Sequence, residues 1–522
     1  MPAKLLKTLK KSCLAALAAT LLTSVPAWAA TLSAKAELDQ PVVVQGDTRT
    51  VYVMVQFEAD DEEINRADRP PLNLSLVLDR SGSMADAGKM DYLKRAAKLA
   101  VQQLSERDTL SIVEYDDAIT VMVNPTRVNE HRSISRQIDE LEPRGSTNLA
   151  GGLSQGVEEA GDARERLAQA PGTLTRVILM SDGLANVGET NPGNINRMVR
   201  DAKGQGIRVS SMGLGRDYDE DLMQAIAENG GGRYYYIEHP TQIARIFEEE
   251  LASLFRTTAR DCELTFEGSS AVQKAEIVGF EGTGRALRQP VEDFYAGEKR
   301  SVLLRLDVKA GQTGSLDLGQ LKVKYRPVKG EAVQSFTAPI AVSVTQDAAA
   351  AKRAINKTVS VEAALVEAER GQKAQVKLFE AGRRDEAAKN LSVLAKELES
   401  RNADLKDDRI KRKIESLSVE NRQMTAAAAP AAQQAYLKAS KNRLYQAKQG
   451  KRGLQQLQMG DKGIEVERLQ EALKQAGHYQ GKIDGVFDAD VKTAVESYQR
   501  AQKTNQSDGV AGAETMDKLG IY

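Results

Sequence analysis

The sequence holds 2 cysteines, 1 tryptophan and 3 histidines in 522 residues, and aromatic side chains make up 5% of it. So few cysteines exclude a small, disulfide-stapled architecture. The histidines, His131, His239 and His478, stand far apart, and no H-E-x-x-H pair occurs. That excludes the usual ligand clusters of zinc peptidases and amidases. No charge of one sign predominates, since 72 basic residues face 73 acidic ones. The electrostatic footprint of a nucleic-acid or anionic-membrane binder is therefore missing. Apolar runs of membrane-spanning length are also absent, so no membrane span is expected.

What is present begins with a separable leader. Lys4, Lys7, Lys10 and Lys11 precede an apolar run from Cys13 to Leu22, and Ala27-Trp28-Ala29 follows in a small-x-small pattern. These features read as a secretory signal peptide over residues 1–29, cleaved on export. Lys10-Lys11-Ser12 before Cys13 is not a lipoprotein box. Cleavage leaves Cys262 as the only cysteine. Cys262, Leu264 and Phe266 alternate with Asp261, Glu263, Thr265 and Glu267, which predicts a strand with the thiol on its apolar face. A buried, inert thiol is the main reading, with an intermolecular disulfide as the alternative. Neither a sorting motif nor a hydrophobic tail closes the sequence, so the expected location is a Gram-negative periplasm, associated with the cell wall.

The length calls for several domains. Residues 30–69 read as N-terminal strands, with Val42-Val43-Val44 and Val51-Tyr52-Val53-Met54-Val55 flanking a turn. Over 70–258, apolar runs at Leu74 to Leu78, Leu110 to Val113, Val177 to Met180, Val209 to Leu214 and Tyr234 to Ile237 alternate with amphipathic helices. Leu93, Ala97, Ala100, Val101 and Leu104 mark one helix face. Such alternation predicts a doubly wound, mostly parallel α/β sheet, with ligands at the carboxyl ends of its strands. Residues 259–345 read as all-β, with strands at 301–308, 315–325 and 335–344. The N-terminal strands have no other partners, so the α/β unit is expected as an insertion into a β-sandwich. Residues 346–452 read as a helical spacer. One helix ends near Phe379, Ala381-Gly382-Arg383 turns, and a second begins at Asp385 with Ala387, Leu391, Leu394 and Leu398 inward. This pair resembles a tetratricopeptide unit. Residues 426–432, around Pro430, read as a flexible joint.

The strand Leu74 to Leu78 runs into Asp79-Arg80-Ser81-Gly82-Ser83. A carboxylate and two hydroxyls at alternate positions offer hard oxygens of the kind Mg²⁺ takes. Gly82 is expected to permit the tight turn that brings both hydroxyls inward. Gly145-Ser146-Thr147-Asn148-Leu149 precedes a helix, and Met180-Ser181-Asp182-Gly183 closes a later strand. The three segments together resemble the metal-ion-dependent adhesion site (MIDAS) of von Willebrand factor A (VWA) domains, over about residues 70–258. The resemblance implies metal ligation by Asp79, Ser81, Ser83, Thr147 and Asp182, with Mg²⁺, or Mn²⁺ or Ca²⁺, as cofactor. It also implies a protein partner whose Asp or Glu completes the coordination. The ligand side chains are expected in solvent-facing loops.

Residues 453–522 carry helix stripes at Val466, Leu469, Leu473 and at Val491, Ala494, Val495, Tyr498. Between them runs Gly477-His478-Tyr479-Gln480-Gly481-Lys482-Ile483-Asp484-Gly485-Val486-Phe487, echoed by Asp508-Gly509-Val510-Ala511-Gly512. This segment resembles the small three-helix peptidoglycan-binding domain, except that Asp488 stands where the family usually has Gly. Tyr479, Asp484 and Tyr498 are the candidate peptidoglycan contacts. The competing reading makes Ile483, Val486, Phe487 and Tyr498 core and Asp484-Gly485 a turn.

No nucleophile–base pair can be assembled from these residues, so the chain reads as a non-enzyme. Paired carboxylates are common, so a glycosidase is not excluded by the sequence. The expected function is adhesion-type binding between peptidoglycan and a protein partner. The alternatives are an envelope scaffold with a structural metal, or a peptidoglycan-modifying enzyme.

Overall fold

Five parallel strands and one antiparallel edge strand make the central sheet, in the order Ile119–Arg127, Thr109–Tyr115, Leu72–Asp79, Leu174–Ser181, Ile207–Leu214, Gly231–Ile237. In this computed structural model the described residues are 31–522, except 47, 62–68, 168–169, 171, 216, 238, 329–331, 449–456, 463, 505, 520 and 522. The leader over residues 1–29 lies outside them. Leu72–Asp79 and Leu174–Ser181 are buried at every position, because helices cover both faces. One face packs against helices Lys89–Gln103, His131–Asp139 and Ile243–Phe255, through Leu93, Ile138 and Phe247 among others. The other packs against Leu149–Arg166, Pro192–Gly204 and Glu220–Gly230, through Leu153, Val199 and Ile226. The edge strand Ile119–Arg127 has no continuous apolar run, and sequence patterning passed over it.

From Leu72–Asp79 the chain moves out to Thr109–Tyr115 and the edge strand on one side, then crosses back to Leu174–Ser181 on the other, so the strand order reverses at Leu72–Asp79. Such a switch point opens a crevice beyond the carboxyl ends of the strands. Asp79 closes one of these two strands, and Asp182 directly follows the other.

Two further sheets stack around a second core that includes Phe57, Phe266, Phe294 and Leu304. Strand Thr48–Ala59 pairs antiparallel with Lys299–Lys309 along its whole length, and Val42–Val44 pairs in parallel with Gln334–Thr345. The N-terminal strands therefore complete a β-sandwich whose remainder follows residue 256, and the α/β domain is inserted between the two parts. Cys262 is buried in this core, and burial pushes its thiol pKa far up.

Five helices follow, Ala348–Arg353, Lys357–Glu380, Arg384–Leu405, Asp408–Ala426 and Pro430–Lys448. Ala387, Leu391 and Leu398 are buried as their spacing predicts, and Gly382 makes the turn at φ +77°. The joint expected at 426–432 is shorter than its composition suggests. Asp408–Ala426 reaches into it, and Pro430 opens the next helix, where a missing N–H costs nothing. The spacer is also docked on both neighbouring domains. Tyr52 donates from the sandwich to Glu367 at 3.0 Å. Lys438, fully buried, donates to the Tyr218 carbonyl at 2.7 Å and pairs with Glu220 at 3.0 Å on the α/β domain. The last residues form a small helical core around Leu469, Phe487, Val491 and Ala511. Among the described residues no helix is long and apolar enough to cross a membrane.

Candidate functional site

Asp79 ends a strand in which every residue is buried, and it is itself fully buried. Its Oδ1 accepts the Ser81 N–H at 2.8 Å, which folds the loop back on the strand end. Its Oδ2 accepts the hydroxyls of Ser181 at 2.7 Å and Tyr115 at 3.3 Å. The Ser81 and Ser83 hydroxyls lie 3.1 Å apart, and Ser83 donates to Asp182 Oδ1 at 2.7 Å. Gly82 is not in the left-handed region; its N–H instead bonds the Gly145 carbonyl at 3.1 Å, tying this loop to the second one.

The second loop is held tightly. Gly145 has φ +68°, and a Cβ there would fall 1.9 Å from Asp117 Oδ1, so only glycine fits. Arg80 and Arg144 both pair with Asp116, at 2.9 and 2.7 Å. Asn186 accepts the Thr147 N–H at 2.9 Å. Thr147 is buried, and its Oγ1 lies beside the Ser83 hydroxyl: a Cβ built on Gly183 would be 3.2 Å from the one and 3.7 Å from the other. The structure thus brings Asp79, Ser81, Ser83, Thr147 and Asp182 together at one end of the sheet.

Two features correct the expectation of solvent-facing ligands. Asp79 and Asp182 are both fully buried, and Ser81 and Thr147 nearly so. Burial therefore raises the Asp79 pKa to about 6, with the charge of Asp182 adding to the shift. The second feature is Lys89, whose Nζ lies 2.6 Å from Asp182 Oδ2. Sequence spacing gave no hint of that ion pair, because the partners stand 93 residues apart.

Two carboxylates and three hydroxyls are a hard-oxygen set, and their convergence fits a small dication better than a soft metal. Among the described residues no group of three or more His, Cys, Asp or Glu could hold a metal ion, so the hydroxyls are essential to any such site. The Ser81–Ser83–Asp182 hydrogen bonds occupy oxygens that a cation would draw on.

At the C-terminal module, Gln470 is the organiser that sequence reading missed. Its Oε1 accepts the N–H groups of Asp484 and Gly485, and its Nε2 donates to Asp484 Oδ1 at 2.8 Å. Gln499 repeats this, accepting from Gly509 and donating to the Val510 carbonyl. The two Asp-Gly-Val turns are thus each clamped by a glutamine one helix away. Asp488 accepts from Asp490 and Val491 and caps helix Ala489–Gln502, which explains an aspartate at this position.

The candidate contacts separate on burial. Tyr479 is buried, with its hydroxyl donated to the Lys482 carbonyl at 2.8 Å, so its ring packs in the core instead of offering a face to a sugar. Tyr498 is also buried, donates to the Lys518 carbonyl at 2.7 Å, and lines a cleft facing helix Asp408–Ala426. Asp484 stays exposed, with Oδ1 engaged in its own turn. Ile483, read as a core candidate, is 44% exposed instead.

Comparison with known proteins agrees with this fold. Residues 73–249 match the von Willebrand factor type A domain family, and residues 462–519 match the putative peptidoglycan binding domain family. The uncharacterized protein YfbK of Escherichia coli is 29% identical over 268 residues, which are 49% of this chain and 44% of that protein. An uncharacterized protein of Synechocystis is 25% identical over 299 residues, 54% of this chain and 67% of its own length. A von Willebrand factor type A structure from Catenulispora acidiphila superposes with a TM-score of 0.57 at 17% identity, covering 76% of this chain and 91% of its own. This chain thus spans less than half the length of the E. coli relative, and the Catenulispora likeness concerns the fold alone. The chain carries a von Willebrand factor type A domain inserted in a β-sandwich and, after a helical segment, a C-terminal domain of the putative peptidoglycan binding family.

Proposed function

We propose that this chain is an exported, non-catalytic adhesion-type protein that holds peptidoglycan with its C-terminal domain and a protein partner with its VWA domain. The observation that carries this reading is the convergence of Asp79, Ser81, Ser83, Thr147 and Asp182 at the switch point of the sheet, in a chain that also has a peptidoglycan-binding domain. These five residues would hold Mg²⁺, or Mn²⁺ or Ca²⁺, and the metal would accept a carboxylate from the partner. Export rests on the leader pattern of residues 1–29, and the domain limits given above are part of the same reading. The scattered histidines support a non-enzymatic role. His131 meets the Leu104 carbonyl, His478 meets Ser497, and His239 caps a short turn, all in different places.

The test is a pull-down from envelope extract with the mature protein as bait, run in Mg²⁺ and again in chelator. A partner should be retained in Mg²⁺ and released by chelation. Identical retention in both buffers would remove the metal from the binding reaction.

Lys89 gives the reading a second check. Its ammonium neutralises part of the Asp182 charge that a dication needs. Lys89→Met should therefore tighten Mg²⁺ binding by well over tenfold, since two unit charges about 4 Å apart at an effective dielectric of ~20 interact by about 4 kcal/mol. Calorimetry that finds equal or weaker binding would refute this role for Lys89.

A further inference from the structure

Between helix Asp408–Ala426 of the spacer and the peptidoglycan-binding domain lies a cleft of about 380 Å³. Its walls include Arg412 and Ser416 from the spacer and Arg468, Tyr498 and Lys518 from the C-terminal domain. Arg468 is 2% exposed, and its Nη2 donates to the Ser416 hydroxyl at 2.9 Å. Among the described residues its Nε and Nη1 have no hydrogen-bond partner, and neither does Nε of Arg412. A buried guanidinium with unpaired N–H groups is unfavourable, because the desolvation of those donors goes uncompensated.

The neighbouring acids favour its charge at a distance but are hydrogen-bonded to other groups. Glu465 is engaged by Arg443, and Glu420 accepts from Tyr436 and Gln372. Burial, and after it the charge of nearby Arg443, lowers the pKa of Arg468. Glu415, the acidic wall residue, is exposed and makes no ion pair with either arginine. Three cationic side chains, Arg412, Arg468 and Lys518, thus face one acid, Glu415, among the residues that line this cleft.

We propose that the cleft binds a carboxylate of the peptidoglycan stem peptide, with Arg468 and Arg412 as its two cationic walls. This rests on the peptidoglycan-tether reading. Glycan strands present neutral hydroxyl and N-acetyl groups, so the carboxylates of the polymer are those of its peptides. An arginine pair offers a carboxylate charge-assisted hydrogen bonds that a hydroxyl cannot match. Arg412 lies outside residues 462–519, so the ligand site is composite and the spacer is part of it.

The experiment titrates the mature protein with soluble muropeptides, either native or with their carboxylates amidated, and in parallel sediments it with intact sacculi. The native muropeptide should bind, while amidation should weaken binding about tenfold or more, the share of a charge-assisted hydrogen bond. Arg412→Met and Arg468→Met should each produce the same loss, with the fold checked by thermal melting. Arg412 is only half-buried, so its variant decides the matter if Arg468→Met fails to fold. Equal affinity for both muropeptides, or an unaltered Arg412→Met, would overturn the cleft assignment while sedimentation left the tether standing. A wild-type protein that does not sediment with sacculi would overturn the tether itself. A simple dipeptide acid that binds as tightly as the muropeptide would also overturn the assignment, by showing general carboxylate capture.

Discussion

Asp79→Asn should lower Mg²⁺ affinity by more than about 100-fold, beyond the 10–100-fold range usual for residues one shell out from a metal. The substitution keeps the shape of the strand end and removes one of two carboxylates from a site whose other oxygens are neutral. Stability should move the opposite way. Unfolded, the carboxyl titrates near 3.8, and in the folded chain burial raises it to about 6. Between those values the folded state takes up a proton, so stability falls as pH rises through this window, and the full penalty applies above about 6. The shift corresponds to a cost on the order of 3 kcal/mol at neutral pH, offset in part by the loss of one acceptor, worth about 1–3 kcal/mol. Asparagine retains an oxygen for the Ser81 N–H, and the Ser181 and Tyr115 hydroxyls can turn to accept from its amide. Without metal at pH 7.5, the variant should therefore melt no lower than the wild type, whereas added Mg²⁺ should raise only the wild-type melting temperature. Unchanged Mg²⁺ affinity in calorimetry would take the metal away from Asp79 and most of the proposed function with it.

Residues 453–522 expressed alone should co-sediment with purified sacculi, more weakly than the full chain because Arg412 is missing, and a chain ending at residue 448 should stay in the supernatant. The C-terminal domain has a core of its own around Leu469, Phe487 and Val491. Its removal is not neutral for what remains. Arg443 is buried and pairs with Glu465, Arg245 pairs with Asp461 at 3.2 Å, and Arg422 pairs with Glu471. Deleting the domain removes all three of these ion pairs and the packing around them, so the shortened chain should also melt earlier. Circular dichroism on that chain separates lost binding from lost folding. Equal sedimentation of both pieces would end the tether assignment.

The sequence by itself determined the architecture where burial leaves a periodic trace. Strands such as Leu174–Ser181, covered on both faces, read as apolar runs. Helix stripes such as Leu93, Ala97 and Val101 repeat at the helical period, because each must meet the sheet. The three segments that meet at the switch point of the sheet were legible too, since carboxylates and hydroxyls at short spacing stand out beside the ends of apolar runs. The antiparallel edge strand Ile119–Arg127 was not, because one exposed side removes the apolar run. Only the tertiary structure decided which side chains are spent internally. Tyr479 was a candidate contact by residue type, but its ring fills the core. Ile483 is apolar, yet it lies at the surface. The Lys89–Asp182 pair and the Arg468–Arg412 cleft join residues more than fifty positions apart. No local pattern encodes such pairings, since they depend on how whole elements pack and on which polar groups that packing cuts off from water.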